Sequence, residues 1–333
     1  PGFDVLEYVV LKAKEHGIRI HAWINPYRIS TQKLQDIPGE PSKEAYLKSL
    51  DDLNFAKRNP DCVIYTKEGK LILDPATQKV RDFVSDSVLE IAEKYDIKAV
   101  HIDDYFYPYD DIMDSEEHHK FADAKGIFKD LSDWRRNNVD VLIKQIHDKL
   151  LTLDKKVEFG ISPFGVHRNN SKFYPEGKEG GWELGSNNHH SCFQGYDQLF
   201  ADVYLWMEKG WIDYVVPQVY FDFNNIKEIV EDGKVIEERE VVKYADLVDW
   251  WTWAAATTKT KLYIGQGLYR YADNGNWANP EEIINQLKYN MRYENILGSV
   301  FFTYKNLKET HKDSLVKARE LLEKTWTKDV EDI

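Results

Sequence analysis

The chain has 333 residues, of which 30% are charged and 42% apolar, and a net charge of −13 at neutral pH. That length suits one large α/β domain or two ordinary ones. The acidic balance argues against nucleic acid as a partner, because phosphate binding needs a basic face, and no apolar run approaches the length of a membrane span. The two cysteines, Cys62 and Cys192, lie far apart in no metal-type spacing. The chain opens on Pro1 and reads as an excised piece of a longer protein, so a missing signal peptide carries no information. Its 10 Trp and 20 Tyr exceed what a core alone needs. Their flat faces and polar edges suit stacking on sugar rings as well as interface packing.

Residues 4–16 carry apolar positions at helical spacing, with Asp4 as N-cap candidate and Gly17 as the stop. Residues 18–25 then alternate strictly. Ile18, Ile20, Ala22 and Ile24 form one face of a strand, and Arg19, His21, Trp23 and Asn25 form the other. The unit recurs as helix 76–95 with strand 97–104, helix 132–152 with strand 157–163, and helix 197–209 with strand 212–220. Helix 244–258 with strand 261–267, helix 280–292 with strand 297–304, and a final helix near 310–325 complete the series. Residues 226–243 read as a small hairpin turning at Asp232-Gly233.

Long connections follow the strands, at 26–50, 105–131, 164–196 and 221–243, and short ones precede them. That asymmetry predicts right-handed parallel crossovers and a site at the C-terminal face of a barrel. Six strands are visible where a closed barrel has eight. The expected fold is therefore α/β, a (β/α)8 TIM-type barrel lacking its first two strand–helix units. It forms a single domain over 1–325, with the hairpin as an insertion and 326–333 as a tail. An open doubly wound sheet is the alternative, but no Gly-rich phosphate loop follows any strand.

The segment Ala99 to Tyr109 is the most informative. A short apolar strand runs into Asp103 and Asp104, with His101 before them and Tyr105, Phe106, Tyr107 and Tyr109 after. His101 and Asp103 share one face. A carboxylate at the end of a buried strand is costly unless it works or is paired; the plain alternative is an Asp capping the next loop. The other strand ends offer Trp23, Asn25, Tyr27 and Arg28; Ser162 and Arg168; Gln218, Tyr220 and Asp222; Gln266, Tyr269 and Arg270; and Phe302 and Tyr304. Such residues bind polyols. The chemistry that fits is glycoside cleavage by two carboxylates. Asp103 is the main candidate, with Asp104 and His101 beside it. Asp103 and Asp104 face opposite ways, so Asp222, Glu183 or an upstream residue would supply the partner. Trp23, Asn25, Tyr27, Arg28, Tyr105, Tyr107, Ser162, Arg168, Gln218, Tyr220, Gln266 and Tyr304 would line the glycan groove, with Arg28 and Arg168 suited to a substrate carboxylate.

Two other readings compete. A metal-dependent hydrolase or deacetylase would use His101 and Asp103 with a further ligand, although His118, His119, His189 and His190 show no ligand spacing. A non-catalytic glycan-binding barrel would keep the aromatic groove without a spaced carboxylate pair. No Gly-x-Ser-x-Gly elbow is present. Neither a metal nor an organic cofactor is expected.

Several motifs together give a family resemblance. They are His21-Ala-Trp-Ile-Asn-Pro-Tyr-Arg28, Leu73-Asp-Pro75, Val100-His-Ile-Asp-Asp-Tyr-Phe-Tyr-Pro108 and Asp133-Trp-Arg-Arg136. Further along are Phe159-Gly-Ile-Ser-Pro-Phe-Gly165, Gly210-Trp-Ile-Asp-Tyr214, Pro217-Gln-Val-Tyr220 and Leu262-Tyr-Ile-Gly265. In these the chain resembles the glycosyl-hydrolase-like 10 family nearly end to end. The resemblance implies a (β/α)8 barrel in an exported, periplasmic or cell-surface bacterial protein, often lipid-anchored. It also implies glycosidase activity on cell-wall glycan stripped of stem peptides, and a role in cell separation. The family's first two strands are absent from this sequence, so an upstream segment of the same protein is expected to complete the barrel.

Overall fold

Helix-then-strand repeats set the architecture of the computed structural model. It describes all residues except 1, 40, 113–114, 125, 171–184, 189–191, 225, 232–233, 273–274 and 327–333. Two compact units divide the chain: Pro1–Ile161 with Tyr196–Ile212, and Ser162–Gly195 with Asp213–Ile333.

In chain order the first unit holds α1 (Val5–Glu15), β1 (His21–Ile24), α2 (Lys43–Ser49), α3 (Phe55–Arg58), β2 (Val63–Tyr65), β3 (Leu71–Leu73), α4 (Gln78–Lys94), β4 (Ala99–Ile102), α5 (Ser115–Asp123), α6 (Leu131–Leu150) and β5 (Glu158–Ile161). After these come α7 (Gly195–Gln198), all but its first residue, and α8 (Val203–Glu208). Asp4 caps α1 as the sequence predicts, its Oδ1 accepting the Leu6 and Glu7 amides at 3.1 Å. β1, β4 and β5 run parallel, with Trp23 opposite His101 and His101 opposite Gly160. Val100 and Ile102 are fully buried while His101 and Asp103 are half-buried, so the period-two pattern aims the polar pair away from the core. Behind β4, Val80, Val84 and Val88 of α4 and Leu142, Ile143 and Ile146 of α6 are buried, and the two helices pack together.

The antiparallel β2–β3 hairpin and the helices α2, α3 and α5 were not legible in the sequence: the hairpin strands, α2 and α3 are too short for periodicity to register, and α5 carries only two apolar residues, Phe121 and Ala122, side by side. The single helix expected over 197–209 is two. Phe200 between them adopts a left-handed φ of 53°, and Asp202 restarts the chain by capping the Leu205 amide at 3.1 Å.

The second unit holds β6 (Tyr214–Val215), β7 (Ile226–Glu231), β8 (Lys234–Glu240), α9 (Tyr244–Thr258), β9 (Lys261–Gly267), α10 (Glu282–Asn290), β10 (Ile296–Phe302), α11 (Tyr304–Leu307) and α12 (Asp313–Trp326). β6 and β10 flank β9 in parallel. The strand expected over 212–220 shrinks to two residues, because Pro217 has no N–H to give the ladder. Pairing resumes as single bridges from Gln218 to Gly265 and to Phe164. Gly265 is needed there: a Cβ would lie 2.7 Å from the Pro217 carbonyl oxygen. The β7–β8 hairpin is antiparallel as expected; its turn, Asp232-Gly233, lies outside the described residues. Buried Tyr244, Trp250 and Trp251 anchor α9, with the Trp251 indole donating to the Gly165 carbonyl at 2.7 Å. Leu268, Tyr271, Trp277, Ile283, Leu315, Ala318 and Leu322 form a further buried cluster.

The fold is thus α/β of the (β/α)8 type, with six parallel strands, three in each unit. No helix among the described residues is long and apolar enough to cross a membrane.

Candidate active site

β4 delivers Asp103 one residue past its last paired position. The carboxylate is half-buried, and its Oδ1 accepts the Tyr105 amide at 3.3 Å. Burial and then the neighbouring Asp104 charge push its pKa up to about 6; the Tyr105 amide, Arg28 and a hydrogen bond from Trp23 oppose the rise without cancelling it. Asp104 turns the other way. It is 3% exposed and accepts the Tyr109 hydroxyl. That phenol is pushed far up by burial and by Asp104, so it stays a donor. Burial, with a smaller contribution from His21, lowers His101 to about 4. A neutral imidazole therefore stands beside Asp103 at physiological pH.

Around this carboxylate the first unit gathers most of its predicted site residues. Arg28 is exposed and sits 4.2 Å from the centre of the Tyr105 ring. Asn25 fixes the turn, its Oδ1 accepting the Arg28 amide at 3.0 Å. Trp23 is 56% exposed, and Tyr105 and Tyr109 meet edge-on at 5.8 Å. A cavity of about 420 Å³ opens here, with Asn25, Tyr27, Arg28, Lys70, Tyr105 and Tyr107 in its wall.

Tyr27 and Tyr107, expected as glycan contacts, are each 1% exposed and belong to the frame of that wall. Asn138 donates to the Tyr107 hydroxyl at 3.3 Å, and Phe200 packs edge-on against its ring at 5.1 Å. Arg135 lies 5.4 Å from the same ring and grips the buried Glu117 through two hydrogen bonds, at 3.0 and 2.6 Å. The Asp133-Trp-Arg-Arg136 motif thus has a structural role that sequence reading left unassigned. The only signal was two adjacent arginines in a helix that also carries much of the core.

The second unit holds the remaining predicted residues. Ser162 is buried and its hydroxyl donates to the Val216 carbonyl at 2.8 Å, while Gln218 donates to the Ser162 carbonyl at 2.9 Å. These bonds hold strand ends together. Gln266 is fully buried and donates to Gln286 of α10 at 3.1 Å. It faces the helix layer, which corrects its expected place in the groove. Asp222 is corrected likewise: 5% exposed, it accepts from the Asn224 amide at 2.9 Å and from Asn276 at 3.1 Å, and so organises its own loop. Tyr220, Tyr269 and Phe302 form an aromatic group with centroids 5.7 to 6.0 Å apart, and the last two are 43% and 53% exposed. Tyr304 is 67% exposed, with Lys308 over its ring at 4.8 Å. The Arg168 carbonyl accepts the Ser186 amide at 3.0 Å. Glu183, His189 and His190 lie outside the described residues. Among the described residues no group of three or more His, Cys, Asp or Glu is placed to hold a metal ion.

Comparison with known proteins bears on the whole frame. The profile of the family described as glycosyl hydrolase-like 10 matches residues 1–280. Glycosyl hydrolase YngK of Bacillus subtilis (strain 168) is 33% identical over 326 residues, covering 95% of this chain and 56% of that protein. Glycosyl hydrolase DigH of Escherichia coli (strain K12) is 31% identical over 313 residues, covering 91% of this chain and 64% of that protein. The chain therefore spans less than two thirds of the length of these relatives. Among solved structures, the α-L-fucosidase isoenzyme 2 of Paenibacillus thiaminolyticus superimposes with a TM-score of 0.50 at 11% identity, covering 97% of this chain and 40% of that one. That likeness concerns the fold alone. With the parallel strand–helix repeat, the strand-end carboxylates and a profile match over most of its length, the chain is a glycoside hydrolase-like protein and belongs to the glycosyl hydrolase-like 10 family.

Proposed function

We propose that the protein is a glycosidase of the bacterial cell envelope that cleaves peptide-free peptidoglycan strands, with Asp103 as the general acid. The observation that carries this reading is a half-buried carboxyl group at the C-terminal end of a parallel strand, held protonated up to about pH 6 beside exposed aromatic rings. Glycoside cleavage needs such a group to protonate the leaving oxygen. Asp104 is not its catalytic partner. Buried on the opposite side with Tyr109, it is a positioning residue whose charge keeps the proton on Asp103. The second carboxylate belongs about 5–5.5 Å from Asp103 in a retaining enzyme and about 6.5–9.5 Å away in an inverting one.

Further support comes from the two relatives, both described as glycosyl hydrolases. The cell-wall substrate, export and lipid anchoring follow from the family resemblance. Phe3 and, on α1, Val5, Tyr8, Val9 and Leu11 are exposed, and β1 pairs only with β4 among the described residues, which leaves an apolar face and a strand edge that further strand–helix units would cover.

The test is digestion of peptide-free cell-wall glycan with products read by mass spectrometry, using the longer protein, this chain, and the longer protein carrying Asp103→Asn. Cleavage that disappears in the variant supports the reading. Binding without cleavage by the wild-type protein sinks it in favour of a glycan-binding barrel. Cleavage abolished by chelator and restored by a divalent ion would point to metal-dependent hydrolysis.

A further inference from the structure

The segment 103–112 carries Asp103 and the exposed rings of Tyr105 and Tyr109, yet no helix or strand holds it. One buried side chain of α6 meets it at several points instead. The Arg135 guanidinium lies 5.4 Å from the centre of the Tyr107 ring and 3.6 Å from the Asp111 carboxylate. Its two hydrogen bonds to Glu117, at 3.0 and 2.6 Å, tie in α5, the helix that follows the segment. Phe200 completes the group, 4.9 Å from the guanidinium and edge-on to Tyr107 at 5.1 Å. It does so at a φ of 53°, in the left-handed region that disfavours a bulky side chain. Such backbone persists only where its surroundings over-determine it, and it clusters at functional sites. Glu117 is fully buried and Arg135 nearly so. An enclosed ion pair adds little net stability, since apolar side chains of the same volume often serve as well or better. What the planar fork adds is fixed direction. Tyr107, which it faces, stands two residues after Tyr105, whose amide donates to Asp103 at 3.3 Å.

We propose that Arg135 is a positioning residue for the Asp103 site. Through Tyr107, Asp111 and Glu117 it fixes the path of 103–112, and with it the place and the cover of the Asp103 carboxyl group. The assignment rests on the glycosidase reading of Asp103 and adds the group that aims it. Arg135 acts through the segment, and its pairing with Glu117 serves geometry more than stability.

The test uses the longer protein in two variants. Arg135→Met with Glu117→Met removes both charges and keeps the volume; Arg135→Lys keeps the charge and loses the fork. The double variant should unfold at no lower urea concentration than the wild type. Hydrogen exchange read by mass spectrometry should be at least about tenfold faster over 103–112 in both variants, and unchanged in α4 and β5. On peptide-free cell-wall glycan, kcat should fall at least about tenfold while KM changes less than about threefold, because a misplaced acid loses contacts made only in the transition state. If the double variant does not fold, Arg135→Lys decides on the same exchange and kinetic readings. Wild-type kcat in a variant whose pair is gone, protection of 103–112 kept in both variants, or faster exchange spread through α4 and β5 would overturn the assignment. A loosened 103–112 with no cleavage by the wild-type protein would refute the glycosidase reading alone.

Discussion

Replacing Asp103 by Asn should remove activity and make the protein more stable. The carboxyl's pKa rises from its ordinary 3.8 to about 6 on folding, chiefly through burial and the adjacent Asp104 charge. Between those values the folded chain binds more protons than the unfolded one, so stability falls as pH rises through that window. Above about pH 6 the cost is complete. At 1.36 kcal/mol per tenfold change in proton affinity it comes to about 3 kcal/mol. Asn carries no charge to desolvate or to repel Asp104, and it can still accept the Tyr105 amide. Asp103→Asn should therefore stabilise the protein by about 1–3 kcal/mol at pH 8, and by close to nothing at pH 4. Urea denaturation followed by tryptophan fluorescence at the two pH values measures the difference directly. A variant less stable than wild type at pH 8, or an effect that does not change with pH, would refute the reasoning that this carboxyl is held against its charged form.

Four further outcomes follow from the same geometry. The rate on cell-wall glycan should fall as pH rises past about 6, because the general acid loses its proton there; a rate that climbs steadily from pH 5 to 8 would rule out Asp103 as the acid. Tyr109→Phe takes a hydroxyl from buried Asp104 and should cost about 1–3 kcal/mol in urea denaturation. Arg135→Met leaves Glu117 buried without its cation and should cost about 3–5 kcal/mol, with Glu117→Gln in the same chain recovering part of it. Gly165→Ala would place a methyl 2.5 Å from the Gln218 carbonyl oxygen, so a loss of about 1–3 kcal/mol is expected, read as a lower thermal midpoint.

Much of the barrel frame was legible because it repeats. The helices that alternate with the strands, such as α1, α4, α6 and α9, are long enough for a 3.6-residue period, and β4 and β9 carry apolar runs that cannot be left in water. Asp4, Asp103 and Asp104 were legible for another reason: a carboxylate at an element's end has few inexpensive roles. The sequence by itself therefore determined the parallel helix-then-strand architecture and the strand end at which the two candidate carboxylates stand. Tertiary structure decided which polar residue faces what. Gln266 and Ser162 sit at strand ends as the groove residues do, yet their partners, Gln286 and the Val216 carbonyl, come from elsewhere in the chain and draw them into the interior. Pro217 shortened β6, and the capping of α8 by Asp202 split a helix whose apolar spacing runs on. The raised pKa of Asp103 and the cavity wall are tertiary products too. Desolvation depends on what covers a group, and Lys70 reaches the cavity through a hairpin of two three-residue strands too short to leave a period in the sequence.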